Sequence, residues 1–155
     1  MSDAPLHHEA VHEAGHAVMA RRLGARIHSI KIDLADPHGA AEVNLRCWPN
    51  GPASPDDDYR VACSSEECLG AFGFDFGDGH GPRKDRDRMV AIVLEKFPDD
   101  EATQDHFRTN LNKEVGQWFE QPNVRSAVVE LVEALMREGQ IRGTEAEAII
   151  DRHLA

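Results

Sequence analysis

His8-Glu-Ala-Val-His12-Glu-Ala-Gly-His16 places three histidines and two glutamates in nine residues. It contains two overlapping copies of His-Glu-x-x-His, one on His8, Glu9 and His12 and one on His12, Glu13 and His16. Small and apolar residues fill the gaps, and the pattern predicts a helix from about Leu6 to Leu23. Ser2 or Asp3 is expected to cap it, Pro5 suits its first turn, and Gly24 ends it. Residues four apart share a helix face, so two imidazoles can grip one metal ion with a glutamate beside them. That arrangement suits a zinc hydrolase. His8 and His16 cannot share one ion, because eight residues of helix rise about 12 Å. His12 therefore belongs to whichever pair is used. The second pair, His12 and His16, lies away from the frayed helix start and is flanked by Ala14, Gly15 and Ala17. Gly15 costs a helix about 1 kcal/mol relative to alanine, so its place there demands a packing or functional reason.

Two alternating segments follow. Ile27–Ile32 carries Ile30 and Ile32 on one face with His28, and Ala41–Cys47 carries Ala41, Val43, Leu45 and Cys47. Asp36-Pro-His-Gly39 between them is a turn signal, so the pair is expected to form a β-hairpin. Trp48–Pro55 holds three prolines and a glycine and reads as a loop. Helices are expected over about 56–69, with acids at its start, over 84–97, ending at Pro98, over 103–119 and over 122–139. A last helix begins at Thr144, where Thr144-Glu-Ala-Glu147 resembles a capping box. The glycine-rich stretch 70–81, with Phe72, Phe74 and Phe76, reads as an ordered loop packed through its aromatic rings. The expectation is one domain over 1–155, α-rich α+β, with a small β-hairpin.

Composition narrows the function classes. A net charge of −11, from 28 acids and 17 bases, disfavours nucleic acid and anionic membranes as partners. The longest apolar run, Met89–Leu94, is six residues and too short to span a bilayer. The Met-Ser-Asp-Ala-Pro start lacks the basic and apolar regions of a secretion signal. Three cysteines, Cys47, Cys63 and Cys68, form no close metal-type pair, which suits a reduced, cytoplasmic setting and buried apolar roles. Arg21 and Arg22 read as a solvated pair, His28 and His38 as surface histidines, and Trp118 and Phe119 as core anchors.

Ala10-Val-His-Glu-Ala-Gly-His-Ala-Val18 resembles the motif of the FtsH-type zinc peptidases, the protease half of a membrane AAA+ enzyme. The resemblance sets the frame as His12, Glu13 and His16, and it implies a zincin-like helical fold. It continues weakly. Leu23-Gly24 followed by the 27–32 strand is similar to the family's helix-turn-strand, and Ser65-Glu-Glu67 sits where the family has an acid-bearing helix. Gly81-Pro-Arg-Lys-Asp85 is similar to the segment whose aspartate is the third metal ligand. Val124–Ile150 resembles the closing helices.

The resemblance implies Zn2+ as cofactor, His12, His16 and Asp85 as ligands, Glu13 as general base, and a polypeptide substrate. Departures from the family pattern keep Asp87 and His80 as alternatives for the third ligand. Asp85 is followed by Arg86 with Met89 four positions on, whereas Asp87 has the small residue Ala91 four on. Asp85 alone keeps the spacing from Gly81. The 155 residues contain no phosphate-binding loop of an ATPase, so energy-driven unfolding of substrates is not expected of this chain alone. The alternatives to a peptidase are a zinc-binding regulatory or partner-recognition domain with the same fold, and a His-rich helical protein with no catalytic metal. The sequence leaves the oligomeric state open.

Overall fold

The computed structural model describes residues 8–35, 42–45, 54–74 and 83–155. The described residues form an α-rich α+β fold. Helix α1, His8–Arg22, is central. Ala10, Val11, Ala14, Ala17, Val18 and Met19 are fully buried along it, so neighbours cover it on several sides. Helices α2 (Pro55–Ala71) and α5 (Pro122–Glu138) pack against it. Gly15 has a packing reason. A Cβ there would lie 2.7 Å from Cys68 Cβ and 3.1 Å from the Ser64 carbonyl oxygen on α2. Only a residue without a side chain lets the α2 backbone come this close. Gly24, with φ of +94°, turns the chain out of α1 in the left-handed region.

Strand β1 (Ile27–Lys31) pairs antiparallel with β2 (Glu42–Leu45), as the hairpin pattern predicts. The connecting turn at 36–39, with His38, lies outside the described residues, as do Cys47, the loop at 48–53, and the proposed caps Ser2, Asp3 and Pro5. The sheet has a third strand that the pattern did not announce. Strand β3 (Gln140–Arg142) pairs with the other side of β1, giving the order β2-β1-β3. Three residues are too few for alternation to be read, and only their pairing with Ser29–Lys31 makes them a strand. Ile30 and Ile32 are both buried, as expected, but the facing of His28 is corrected. The register shifts between Ile27 and Ser29, so Ile27 and Ile30 are both buried while His28 is exposed. An irregularity of this kind resets the two-residue alternation.

The helices start where local chemistry supplies a cap. Ser54 accepts from Asp57 N–H at the head of α2. Asp100 does the same for Thr103 N–H at the head of α4 (Glu101–Phe119). Helix α3, Arg83–Lys96, ends ahead of Pro98. Gly139, at φ +75°, ends α5. Helix α6, Gly143–Leu154, departs from expectation: no side chain caps it, and the Thr144–Glu147 capping box does not form. Glu147 is instead buried and accepts from Arg21, Arg26 and the Ile27 backbone N–H. Arg21 is accordingly not a solvated charge, because it also clamps Asp151 through two hydrogen bonds. Arg22 stacks over the Trp118 ring, 4.6 Å from its centroid.

Phe119 is fully buried, and Trp118, Phe72 and Phe74 pack on the edge of the core. Cys63 and Cys68 are buried free thiols, and burial pushes both far above the ordinary thiol range, so they act as small apolar groups. No helix among the described residues is long and apolar enough to cross a membrane.

Candidate metal centre

One turn of α1 separates His12 from His16, and their rings meet edge to face with centroids 4.9 Å apart. Helix α3 delivers Asp85 to the same point from its first turn. Asp85 Oδ2 lies 2.9 Å from His16 Nε2 and 3.4 Å from His12 Nε2. One ligand atom from each of the three residues lies within 4.8 Å of the others. Glu13 completes the cluster, with Oε1 3.6 Å from His12 Nε2. His12 and Glu13 are buried, and His16 and Asp85 are half-buried.

The hydrogen bonds of His16 carry the strongest physical statement. Its Nδ1–H donates to the Val61 carbonyl at 2.9 Å and toward Ser64 Oγ at 3.3 Å. Its Nε2 faces Asp85 Oδ2. A neutral imidazole has one N–H, so only one of these contacts can be a hydrogen bond in the neutral ring. The other must be bridged by a positive species, either a second proton or a metal ion. His12 Nε2 likewise faces two carboxylates. The centre thus brings His12, His16 and Asp85 together as a group that could hold a metal ion.

The acid–base shifts express the same geometry. Burial pulls the His16 imidazole down, but the Asp85 hydrogen bond and the charges of Asp85 and Glu13 outweigh it, and the net shift is upward. Burial pushes Asp85 up, yet its contacts with His12 and His16 hold it well below the usual carboxylate range. Glu13 is raised, chiefly by burial, which His12 and His16 oppose and Asp85 and Glu9 reinforce.

The donor set, two imidazoles and one carboxylate, is of the kind that can hold a metal ion such as zinc. Two imidazole nitrogens and one carboxylate oxygen leave one position of a tetrahedron open. Ligands 2.0–2.1 Å from a tetrahedral ion lie about 3.3 Å from each other, and the two Asp85–imidazole separations of 2.9 and 3.4 Å bracket that figure. The fixed Nδ1–H bond of His16 also selects the tautomer that leaves Nε2 free to ligate.

Of the remaining candidates, Asp87 is exposed and His80 lies outside the described residues. His8 sits a turn away, its Nδ1 3.1 Å from Glu9 and its ring edge-on to Phe74. Sequence reasoning missed Val61, Ser64 and Ser65, the α2 groups that touch the centre. Ser65 Oγ donates to Asp85 Oδ2 at 3.3 Å. A backbone carbonyl and two serines carry no motif; their only signal is the demand of Gly15 for a close neighbour. No family model matches the chain, and no curated protein matches it significantly.

Proposed function

We propose that this chain is a zinc-dependent peptidase of the FtsH type with a zincin-like fold, working on unstructured polypeptide in a cytoplasmic setting. The observation that carries the reading is the convergence of His12, His16 and Asp85 on a place for one cation, with Glu13 against it. The resemblance of Ala10–Val18 to the peptidase motif supplies the reaction class. His12 and His16 would hold the ion through Nε2 and Asp85 through Oδ2. Zinc so bound supplies Lewis acidity, polarising a carbonyl oxygen and lowering the pKa of water toward neutrality.

The chain's own residues do the rest. Glu13 takes a proton from the attacking water on its carboxylate as the C–O bond forms, then delivers it to the leaving amine nitrogen as the C–N bond breaks. Its place next to His12 in the sequence fixes its distance from the ligand set. Asp85 keeps its negative charge, and the Val61 carbonyl and Ser64 hold the ring of His16. With no phosphate-binding loop in the sequence, a flexible or unfolded segment is the substrate this chain alone can accept.

The test is cleavage of casein by wild type and by Glu13→Gln, with added zinc and with a chelator. Chelator-sensitive cleavage that falls about two to four orders of magnitude in Glu13→Gln, with zinc content unchanged, is the expected result. Full zinc occupancy without cleavage of casein or of a broad peptide panel would replace the peptidase with a zinc-binding recognition domain. Cleavage that survives Glu13→Gln would remove Glu13 from the mechanism.

A further inference from the structure

Helix α2 touches the centre at three points on adjacent turns, and each contact constrains one ligand. The Val61 carbonyl accepts the Nδ1–H of His16 at 2.9 Å. Ser64 Oγ donates to that same carbonyl at 2.6 Å, which leaves its lone pairs facing His16 Nδ1 at 3.3 Å. Ser65 Oγ reaches the other way and donates to Asp85 Oδ2 at 3.3 Å. Both serines are fully buried, so neither hydroxyl is open to bulk water.

We infer that Ser65 is a positioning residue for the metal centre, orienting the Asp85 carboxylate toward the imidazoles, with Ser64 in the matching role for His16. The inference rests on reading His12, His16 and Asp85 as metal ligands. Its physical basis is the freedom of a lone carboxylate. Asp85 stands in the first turn of α3 and is half-buried, and unrestrained it can rotate away from the ligand point. A hydroxyl from a second helix fixes the rotation. Gly15 makes this possible by letting the α2 backbone approach α1 at Ser64 and Cys68. The position of the third ligand thus depends on packing between α1 and α2 as well as on α3.

The experiment measures zinc affinity of the full chain by competition with a chromogenic chelator for wild type, Ser65→Ala and Cys63→Ala. Cys63 is buried on the same helix and its Sγ bonds to the Arg60 carbonyl, away from the ligand cluster, so its variant controls for lost packing. Each metal-free variant is also unfolded in urea, and each is loaded with Co2+ to record the visible ligand-field bands.

Loss of the outer partner of a ligand weakens metal binding about ten- to a hundredfold. Ser65→Ala is therefore expected to bind zinc at least about tenfold more weakly and to shift the cobalt bands, while Cys63→Ala keeps wild-type affinity and bands. Wild-type affinity in Ser65→Ala overturns the inference and leaves the metal reading standing. An equal loss in Cys63→Ala also overturns it, because the effect is then general packing. Failure of wild type to take up zinc overturns the metal reading and the inference together.

Discussion

Helix α1 carries or contacts two buried carboxylates of nearly equal exposure, Glu147 at 7% and Glu13 at 6%. They are compensated in different ways. Glu147 accepts from the guanidinium groups of Arg21 and Arg26 and from the Ile27 N–H. Guanidinium charge does not titrate in the physiological range, so this cluster is balanced at every working pH. Among the described residues the cationic partners of Glu13 are the imidazoles of His12 and His16, and its carboxyl is raised by burial. Asp85 shares that dependence on His12 and His16. A buried acid matched by permanent cations and a backbone donor ties elements together, here α1, β1 and α6. A buried acid matched only by groups that can lose a proton or hold a metal is a place for chemistry.

The same substitution at both glutamates tests this contrast most directly. Glu13→Gln is expected to show the largest effect, about two to four orders of magnitude in cleavage rate. It should leave the urea stability of the metal-free chain at or above wild type, because a neutral amide replaces a buried acid.

Metal removal comes next. With free zinc at a hundredfold over Kd, bound metal stabilises the folded chain by about 2.7 kcal/mol. Chelation should remove that increment from wild type and change nothing in His16→Ala, where no increment exists. An equal chelator effect in both proteins would place the metal elsewhere.

Glu147→Gln should do the reverse of Glu13→Gln. Arg21 and Arg26 lose the charge they share while one neutral amide oxygen remains to accept, and urea unfolding is expected to show a loss of about 2 kcal/mol, the same with and without zinc. No loss would mean that the cluster is not a tie.

Gly15→Ala sharpens the link between packing and site. Helix propensity alone favours alanine by about 1 kcal/mol, whereas over-packing costs about 1–3 kcal/mol. The Cβ meets backbone and Cys68 Cβ rather than a flexible side-chain end, so a net loss of about 1 kcal/mol is expected, together with weaker zinc binding. A more stable variant with intact zinc binding would show that α2 can move freely.

The smallest effect concerns Glu67, an acid with no compensating cation among the described residues. It lies against Gly116 of α4, where a Cβ would stand 2.8 Å from Glu67 Oε2. Burial, with the charge of Glu66, pushes its carboxyl up to about 7 from 4.5. The folded chain therefore holds this proton more tightly than the unfolded chain. The resulting stability is present below about pH 4.5 and is lost as pH rises through about 7. Solvent reaches the group, so the loss is about 1 kcal/mol, less than full desolvation would give. Glu67→Gln should flatten this part of the stability profile between pH 4.5 and about 7. A profile that keeps its slope would assign the effect to another group.

The sequence by itself determined the local features. The spacing of His12, Glu13 and His16 fixes their common face, because a helix repeats every 3.6 residues whatever surrounds it. Ser54, Asp100, Gly24 and Gly139 mark helix ends through bonds and dihedrals that lie within a few residues. Even the oddity of Gly15 was legible, though not the helix that answers it. Tertiary structure decided what distant segments do to one another. Asp85 reaches His16 from 69 positions away, and Glu147 reaches Arg21 from 126. Glu147 satisfied the spacing of a capping box and still left it, because two guanidinium groups and a backbone N–H from other elements offered more than one N–H at its own helix start. Gln140–Arg142 became a strand only because β1 had an open edge, and Ser65 acquired a role only because α3 brings a carboxylate to it. Local bonds are encoded by spacing along the chain, whereas these contacts exist only once packing has brought their partners together.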